Sequence, residues 1–199
     1  MRTGSALLCI VTALSPAVAV AGPTAADAAR PAAVSPSTSE TRQLITLAGI
    51  VEQRIALADI VAEAKWPTRG PVDDPAREKV VLDAAAAGAV ERGLDPDSAR
   101  VFFRDQIEAS KVVQYGLFSH WGAVPADEPT EVPDLSKIRP ILDQITGRLL
   151  DTLKATQPIR SGPYCRAFAG IAKLEVEQSK HLDSLHRAAL GRGLRSVCE

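Results

Sequence analysis

The sequence is poor in aromatic and sulfur-containing residues, and neither sign of charge is in clear excess. Phe, Trp and Tyr make up 4% of the 199 residues, with three cysteines, one methionine and a formal net charge of −1. This balance argues against a general nucleic-acid binder, so an anion-binding function would need locally placed cations. Scarce aromatics and abundant alanine suit close-packed helices better than sheets.

Common catalytic motifs are also absent. The sequence contains no Cys or Ser nucleophile motif, no glycine-rich phosphate loop and no dinucleotide fingerprint. Glu177 and His181 lie four residues apart and His186 lies five further on, which hints at a metal site. No third ligand stands at a suitable offset. We therefore favour an ion pair on a helix surface and predict no metal site.

One apolar run lies at the N-terminus. Arg2 precedes the run Ala6 to Val20, and Ala19-Val20-Ala21 has small residues at the two positions that a signal peptidase reads. The run is too short for a good membrane anchor. We predict a signal peptide over residues 1–21, with a second possible cut after Ala28. The mature protein is expected in the periplasm or the medium, with no membrane association.

Signal removal takes Cys9 away and leaves Cys165 and Cys198. An even pair in an exported protein indicates a disulfide, the alternative being two buried free thiols. A straight helix between them would separate the two by roughly 50 Å, whereas a disulfide needs Cα atoms about 4.4–6.8 Å apart. The chain is therefore predicted to reverse direction near residues 178–180.

Proline, glycine and capping residues divide the remaining chain into helices. Residues 22–40, rich in Ala, Pro, Ser and Thr, are predicted to be a flexible leader. Asp74-Pro75 and Asp95-Pro96 each combine an N-cap with proline at the first helical position. The predicted helices cover about 41–66, 75–92, 96–121 and 136–154, and helical sequence resumes after Pro163 up to about 190. The predicted fold is all-α, a single-domain bundle of about five to six helices.

Polar residues interrupt the core-facing stripes of two predicted helices. Spacings of 4, 3, 4, 3 and 4 join each stripe. The first stripe is Leu47, Val51, Arg54, Ala58, Val61 and Lys65. The second is Phe103, Ile107, Ser110, Gln114, Leu117 and Trp121. Buried cations and hydrogen-bonding groups need partners. Arg77 lies in the first turn of the next helix, where the helix dipole disfavours a cation unless it faces a negative group. Three segments thus offer cations or hydrogen-bond donors, which is consistent with one site for a small polyanion.

Each polar residue also has a purely structural interpretation. Arg54 could pair with Glu91 or another acid, and Lys65 could extend its ammonium group into solvent. Ser110 and Gln114 could hydrogen-bond within their own helical turn. The joint pattern favours a ligand site, although the periodicity does not name the ligand.

The order of these residues and the sequence around them resemble AroQ-type chorismate mutases, in particular the exported subclass of mycobacterial type. The matching segments are Glu52-Gln53-Arg54-Ile55, Ala64-Lys65-Trp66, Asp105-Gln106-Ile107, Gln114-Tyr115, Phe118-Ser119-His120-Trp121, Pro133-Asp134-Leu135-Ser136 and His181-Leu182-Asp183-Ser184-Leu185. The resemblance covers about residues 41–198. It implies a mutase domain over 41–199, with catalytic helices over 41–157, disulfide-closed helices over 158–199 and a homodimer.

The resemblance implies that chorismate, a dicarboxylate, rearranges to prephenate by a unimolecular pericyclic shift, with no cofactor. Catalysis then depends on holding a compact conformer and on stabilising charge at the breaking ether oxygen. By this analogy Arg54 and Arg139 clamp carboxylates, with Ser110 assisting. Lys65 binds a carboxylate and the ether oxygen, and Gln114 donates an amide N–H to that oxygen.

At the other end of the implied site, Glu78 accepts a hydrogen bond from the ring hydroxyl, and Asp74 and Arg77 shape the pocket. Exported mycobacterial-type members have Glu where this chain has Gln114, an apolar residue at Glu78 and a Gln at Val81. Glu78 is expected to take over the hydroxyl contact of that Gln.

Arg139 would replace the arginine that cytoplasmic members of the family take from a partner subunit. Pro140 disfavours helical geometry at the residue before it, so Arg139 is expected at a helix entrance. Two other functions remain open: an exported helical binding protein without turnover, and a sensor of aromatic-pathway acids. The retained set Arg54, Lys65, Arg77 and Gln114 argues against the first.

Overall fold

The computed structural model describes residues 38–198, which form helices and no strand. The elements are α1 (Thr38–Lys65), α2 (Pro75–Glu91), α3 (Pro96–Ala123), α4 (Leu135–Ala155), α5 (Gln157–Arg160), α6 (Cys165–Ser179) and α7 (Ser184–Gly193), with a 3-10 turn at Pro125–Asp127. The all-α prediction is confirmed. The short α5 brings the helices within residues 38–198 to seven, where the sequence predicted five to six.

The predicted signal peptide lies outside the described residues, as does most of the predicted leader. The last residues of that leader do not match the prediction, because α1 already begins at Thr38. Within residues 38–198, no helix is both long and apolar enough to cross a membrane.

Aspartate side chains cap the N-termini of four helices. Asp74 Oδ1 accepts a hydrogen bond from the backbone N–H of Arg77 at 3.0 Å, and Asp95 Oδ2 accepts from that of Ser98 at 2.7 Å. Asp134 caps α4 and Asp183 caps α7 in the same way. These bonds satisfy donors that a helix start leaves unpaired. The two Asp-Pro signals therefore mark the starts of α2 and α3 as predicted.

Helix α1 lies at the centre of the bundle and packs against α3, α4, α6 and α7. The apolar part of its predicted stripe is buried, as Leu47 and Val51 show. Phe103 from α3 and Leu149 from α4 complete the fully buried core around it. The interior is therefore built mainly from aliphatic and alanine side chains with a few phenylalanines, in the close-packed helices that the composition predicted.

The C-terminal helices form a hairpin that covers this core. The chain reverses between α6 and α7, directly after the predicted position, and His181 adopts a left-handed φ of 52° there. Helix α6 packs on α1, and α7 packs on α3. A Cβ atom at Gly116 would lie 2.5 Å from Leu185 Cδ1, so α7 approaches α3 where glycine leaves space. The predicted disulfide Cys165–Cys198 is present, with Cα atoms 5.8 Å apart.

Arg139 lies inside α4 rather than at its entrance, and Pro140 follows it within the helix. The expectation from Pro140 was wrong on this point. Since α4 begins at Leu135, a proline at this position withholds a backbone donor from the Ser136 carbonyl alone, near the helix start. That cost is small enough for the helix to continue through Pro140.

Candidate active site

One pocket opens between α1, α2, α3 and α4, with a cavity of about 190 Å³, room for a small organic molecule. All eight residues that the sequence nominated line it. They are Arg54, Lys65, Asp74, Arg77, Glu78, Ser110, Gln114 and Arg139. Residues from four separate segments therefore meet around one space.

Arg54 lies at the bottom of this pocket with 7% of its surface exposed. Its Nη1 donates to the backbone carbonyl of Gln106 at 3.4 Å, while its Nε is buried without a partner among the described residues. Burial, followed by the nearby Arg77 cation, lowers the pKa of Arg54 to about 10, so it stays charged at neutral pH. Glu91 contacts Arg92 at 3.7 Å, and the alternative Arg54–Glu91 pair is not found among residues 38–198.

Lys65 ends α1 and points toward the loop that leads to α2. Its Nζ donates to the backbone carbonyl of Val72 at 3.3 Å, and the side chain is half-buried rather than extended into solvent. Burial lowers the pKa of Lys65 below 10.5, although neighbouring carboxylates oppose this, Asp74 most strongly. Lys65 therefore presents a partly desolvated ammonium group at the pocket wall.

Ser110 and Gln114 lie one turn apart on α3. Gln114 Nε2 donates to Ser110 Oγ at 3.0 Å and contacts the Ser110 carbonyl at 3.3 Å, so the bond within their own turn does form. Gln114 is 4% exposed, and its Oε1 is buried without a partner in the part of the chain described. Hydrogen bonding within the turn therefore accounts for the amide nitrogen of Gln114 but not for its oxygen.

Glu78 occupies the α2 side of the pocket between two cations. Its Oε1 accepts from Lys111 Nζ at 2.8 Å, and its Oε2 accepts from Arg104. The hydrogen bond from Lys111 is the main influence that holds the pKa of Glu78 below its usual value, against an opposing effect of burial. This carboxylate is therefore ionised at neutral pH and fixed in orientation.

The remaining nominated residues lie nearer the pocket mouth. Arg77 Nη2 lies 3.8 Å from Asp143 Oδ1, which links α2 to α4. Arg139 is solvent-exposed on α4. The Asp74 carboxylate is engaged as the N-cap of α2, so its role in the wall is to hold that helix start in place.

Sequence reasoning missed Lys111 and Asp143, which also line the pocket. Lys111 follows Ser110 directly and stands one position off the apolar stripe. Its Glu108 partner, three residues away on the same helix, was a visible signal. Its partners Glu78 on α2 and Asp73 in the loop before α2 gave no such signal, because sequence spacing does not report contacts between segments.

The histidines form no metal site. No group of three or more His, Cys, Asp or Glu side chains is arranged to hold a metal ion within residues 38–198. The predicted Glu177–His181 pair was wrong, since Glu177 contacts Lys173 on its own helix and His181 lies beyond the helix end. His186 instead joins Asp183 at 2.9 Å and Asp59 at 3.1 Å.

Comparison with known proteins agrees with this geometry. Residues 45–115 match the family "Chorismate mutase type II". Over 80% of each chain, the protein is 35% identical to a secreted chorismate mutase of Mycobacterium tuberculosis. It is 32% identical to the secreted chorismate mutase of Mycolicibacterium smegmatis, over 78% of this chain and 86% of that one.

A solved chorismate mutase from Burkholderia phymatum superposes with a TM-score of 0.77 at 37% identity, covering 81% of this chain and 99% of that one. The secreted relatives support the predicted export of this protein. Sequence, fold and pocket agree, and the chain belongs to the type II, or AroQ, chorismate mutase family, a family of isomerases.

Proposed function

We propose that this protein converts chorismate to prephenate in the pocket between α1 and α4. The carrying observation is the charge of its wall. Among the described residues, Arg54, Lys65, Arg77, Lys111 and Arg139 line the pocket together with three acids, Asp74, Glu78 and Asp143. The excess of two positive charges matches a dicarboxylate, although the protein as a whole has a net charge of −1.

The buried end of the pocket suits a carboxylate. Arg54 has an unpartnered Nε–H there, and burying a donor without an acceptor is costly. A bound carboxylate would supply that acceptor through a charge-assisted hydrogen bond. Arg139, on α4, would bind the second carboxylate of the substrate, and the Ser110 hydroxyl would assist as a further donor.

Lys65 and Gln114 are proposed to stabilise the negative charge that develops on the breaking ether oxygen. The Gln114 amide points its N–H groups at Ser110. Nε2 carries two hydrogens, so one can stay on the Ser110 hydroxyl oxygen while the other is directed toward the substrate, which leaves the Ser110 hydroxyl hydrogen for a carboxylate. Donors held in advance at the site of developing charge lower the barrier without further reorganisation.

The reaction is unimolecular, so the protein's task is to hold a compact reactive conformer. Arg54 and Arg139 fix the two carboxylates, and Glu78 accepts from the ring hydroxyl. No group attacks the substrate covalently, and no cofactor is needed. This division of roles follows the family resemblance and is consistent with the ionised, immobilised state of Glu78.

Turnover by the purified mature protein tests the proposal. Chorismate loss and prephenate formation are followed by absorbance and product analysis, with Lys79→Ala as a control. Lys79 lies on α2 in an exposed pair with Asp83, so its removal should leave kcat/KM within twofold of wild type. Folded wild-type protein that binds chorismate without consuming it would support the binding-protein alternative and contradict the proposal.

We also propose a homodimer, as the family resemblance implies. Since Arg139 of the same chain lines the pocket, each subunit would carry a complete site. Light scattering coupled to size exclusion should give twice the chain mass, and activity per chain should not change on dilution below the dimer dissociation constant. A monomeric mass at all concentrations would contradict the dimer alone.

A further inference from the structure

Lys111 is the centre of a charge cluster at the α2 side of the pocket. Its Nζ lies 2.7 Å from Asp73 Oδ1, 2.8 Å from Glu78 Oε1 and 3.3 Å from Glu108 Oε1. The three acids belong to the loop before α2, to α2 and to α3. With 15% of its side chain exposed, Lys111 is well shielded for a lysine and joins three segments through a single ammonium group.

Two of the three acids, Asp73 and Glu78, are held on both oxygens. Tyr115 Oη donates to Asp73 Oδ2, and Arg104 donates to Glu78 Oε2. Two donors on opposite oxygens leave a carboxylate little freedom to rotate. Glu78 thus differs from Gln114 across the pocket, whose amide retains a buried oxygen without a partner among residues 38–198.

The cluster also supports the loop that receives Lys65. Lys65 donates to the carbonyl of Val72, and Val72 is followed directly by Asp73. Lys111 therefore fixes Glu78 directly. Through Asp73 it also fixes the neighbouring Val72 carbonyl, which accepts from Lys65. Removing its charge would release the rotation of Glu78 and loosen the loop at the same time.

We propose that Lys111 is a positioning and specificity-determining residue, which keeps Glu78 a fixed, ionised acceptor for the substrate's ring hydroxyl. This inference rests on the proposed function. A site built around a fixed polar acceptor discriminates strongly against an analogue that lacks the matching hydroxyl, because the lone pair directed at the ring is then left without its donor. A mobile or protonated Glu78 would discriminate poorly.

The test compares kcat/KM for chorismate with kcat/KM for the analogue that lacks the ring hydroxyl, in wild type, Lys111→Met and Lys111→Arg. The ratio should fall about tenfold or more in Lys111→Met. Lys111→Arg, which retains the charge, should restore it to within about threefold. Lys79→Met makes the same change on the exposed face of α2 and should leave the ratio at the wild-type value.

A pH profile separates positioning from simple loss of structure. Because Lys111 lowers the pKa of Glu78, its removal should raise that pKa. The acid-side fall of kcat/KM for chorismate should therefore begin at higher pH in Lys111→Met than in wild type. If Lys111→Met does not fold, Lys111→Gln is measured in its place, with the same expectations.

The outcomes distinguish this inference from the function on which it rests. A wild type that turns over chorismate, with an unchanged ratio and acid limb in the folded charge-removing variant, overturns the role of Lys111 alone. A wild type that does not turn over chorismate overturns both. A lowered ratio, rescue by arginine and a shifted acid limb together support the inference.

Discussion

The pocket helices α1–α4 and the C-terminal hairpin α6–α7 differ in what their polar side chains contact. At the pocket, Arg54 and Gln114 keep buried polar atoms without partners in the part of the chain that the structure describes. Away from the pocket, Arg192 of the hairpin pairs with Asp105 of α3, and the Gly193 carbonyl accepts from Gln106 Nε2 at 2.6 Å, although Gln106 Oε1 has no partner among residues 38–198. Unmatched polar atoms that line a cavity suit ligand binding, whereas matched pairs hold a scaffold.

This contrast predicts that changes in the pocket alter activity and changes in the hairpin alter stability. Lys65→Ala should show the largest effect of all. It removes a charge that acts on both the carboxylate and the ether oxygen, so kcat/KM should fall more than a hundredfold, equivalent to about 3–4 kcal/mol. The thermal midpoint should change little, because burial of this ammonium group is itself unfavourable. A variant within threefold of wild type would contradict the role of Lys65.

Reduction of Cys165–Cys198 should have the reverse effect. Closing a loop of 33 residues stabilises the fold by about 3–4 kcal/mol on the chain-entropy model. A reductant should therefore lower the thermal midpoint by several degrees, measured by circular dichroism. Neither cysteine lines the pocket, so kcat at low temperature should be unchanged. Loss of activity on reduction of folded protein would break the proposed separation.

The sequence predicted the parts of the structure that depend on local signals. Asp74-Pro75 and Asp95-Pro96 fix helix starts through their own backbone chemistry, and the apolar stripe around Arg54 and Lys65 follows from helical periodicity. Arg54 and Lys65 could be nominated because cations on a buried stripe are unusual, whereas Asp74 and Arg139 were nominated only through the family resemblance.

The missed features depend on contacts between distant segments. Lys111 contacts Glu78, 33 positions earlier in the chain, and His186 contacts Asp59, 127 positions earlier. Helical periodicity does not predict contacts between residues so far apart in the sequence. Arg139 was misplaced for a different reason. The predicted helix start at about residue 136 lies within one residue of the observed start at Leu135. The error was to treat Pro140 as a helix boundary, because a proline this close to the helix start withholds few hydrogen bonds.

The smallest predicted effect is the loss of stability on substitution of His186, which lies on α7 of the hairpin. Hydrogen bonds to Asp59, the largest influence, and to Asp183 raise the pKa of His186 from 6.5 to about 9. A pKa raised in the folded state contributes stability that is complete below the unfolded pKa and is lost as pH rises through the folded one. The contribution, reduced by solvent screening to the order of 1–2 kcal/mol, should thus disappear between about pH 6.5 and 9.

The measurement is the difference in thermal midpoint between wild type and His186→Gln at a series of pH values. The difference should be a few degrees at pH 6 and should vanish above the folded pKa of about 9. An equal difference at pH 6 and pH 10 would show that packing, rather than the charged contacts with Asp59 and Asp183, is what the substitution removes.

The central claim is that preorganised donors at the pocket wall stabilise charge on the ether oxygen, and the pH profile of kcat tests it most directly. An amide keeps its hydrogens at every physiological pH, whereas a carboxyl group donates only when protonated. Wild type, with Gln114, should therefore have a nearly flat kcat from about pH 5 to 8, falling on the alkaline side as Lys65 loses its proton below its ordinary pKa of 10.5.

Gln114→Glu should be active at low pH and lose activity as pH rises, and Gln114→Ala should be poor throughout. A steep fall in the kcat of folded wild-type protein between about pH 5 and 8 would show that Gln114 is not the donor to the ether oxygen.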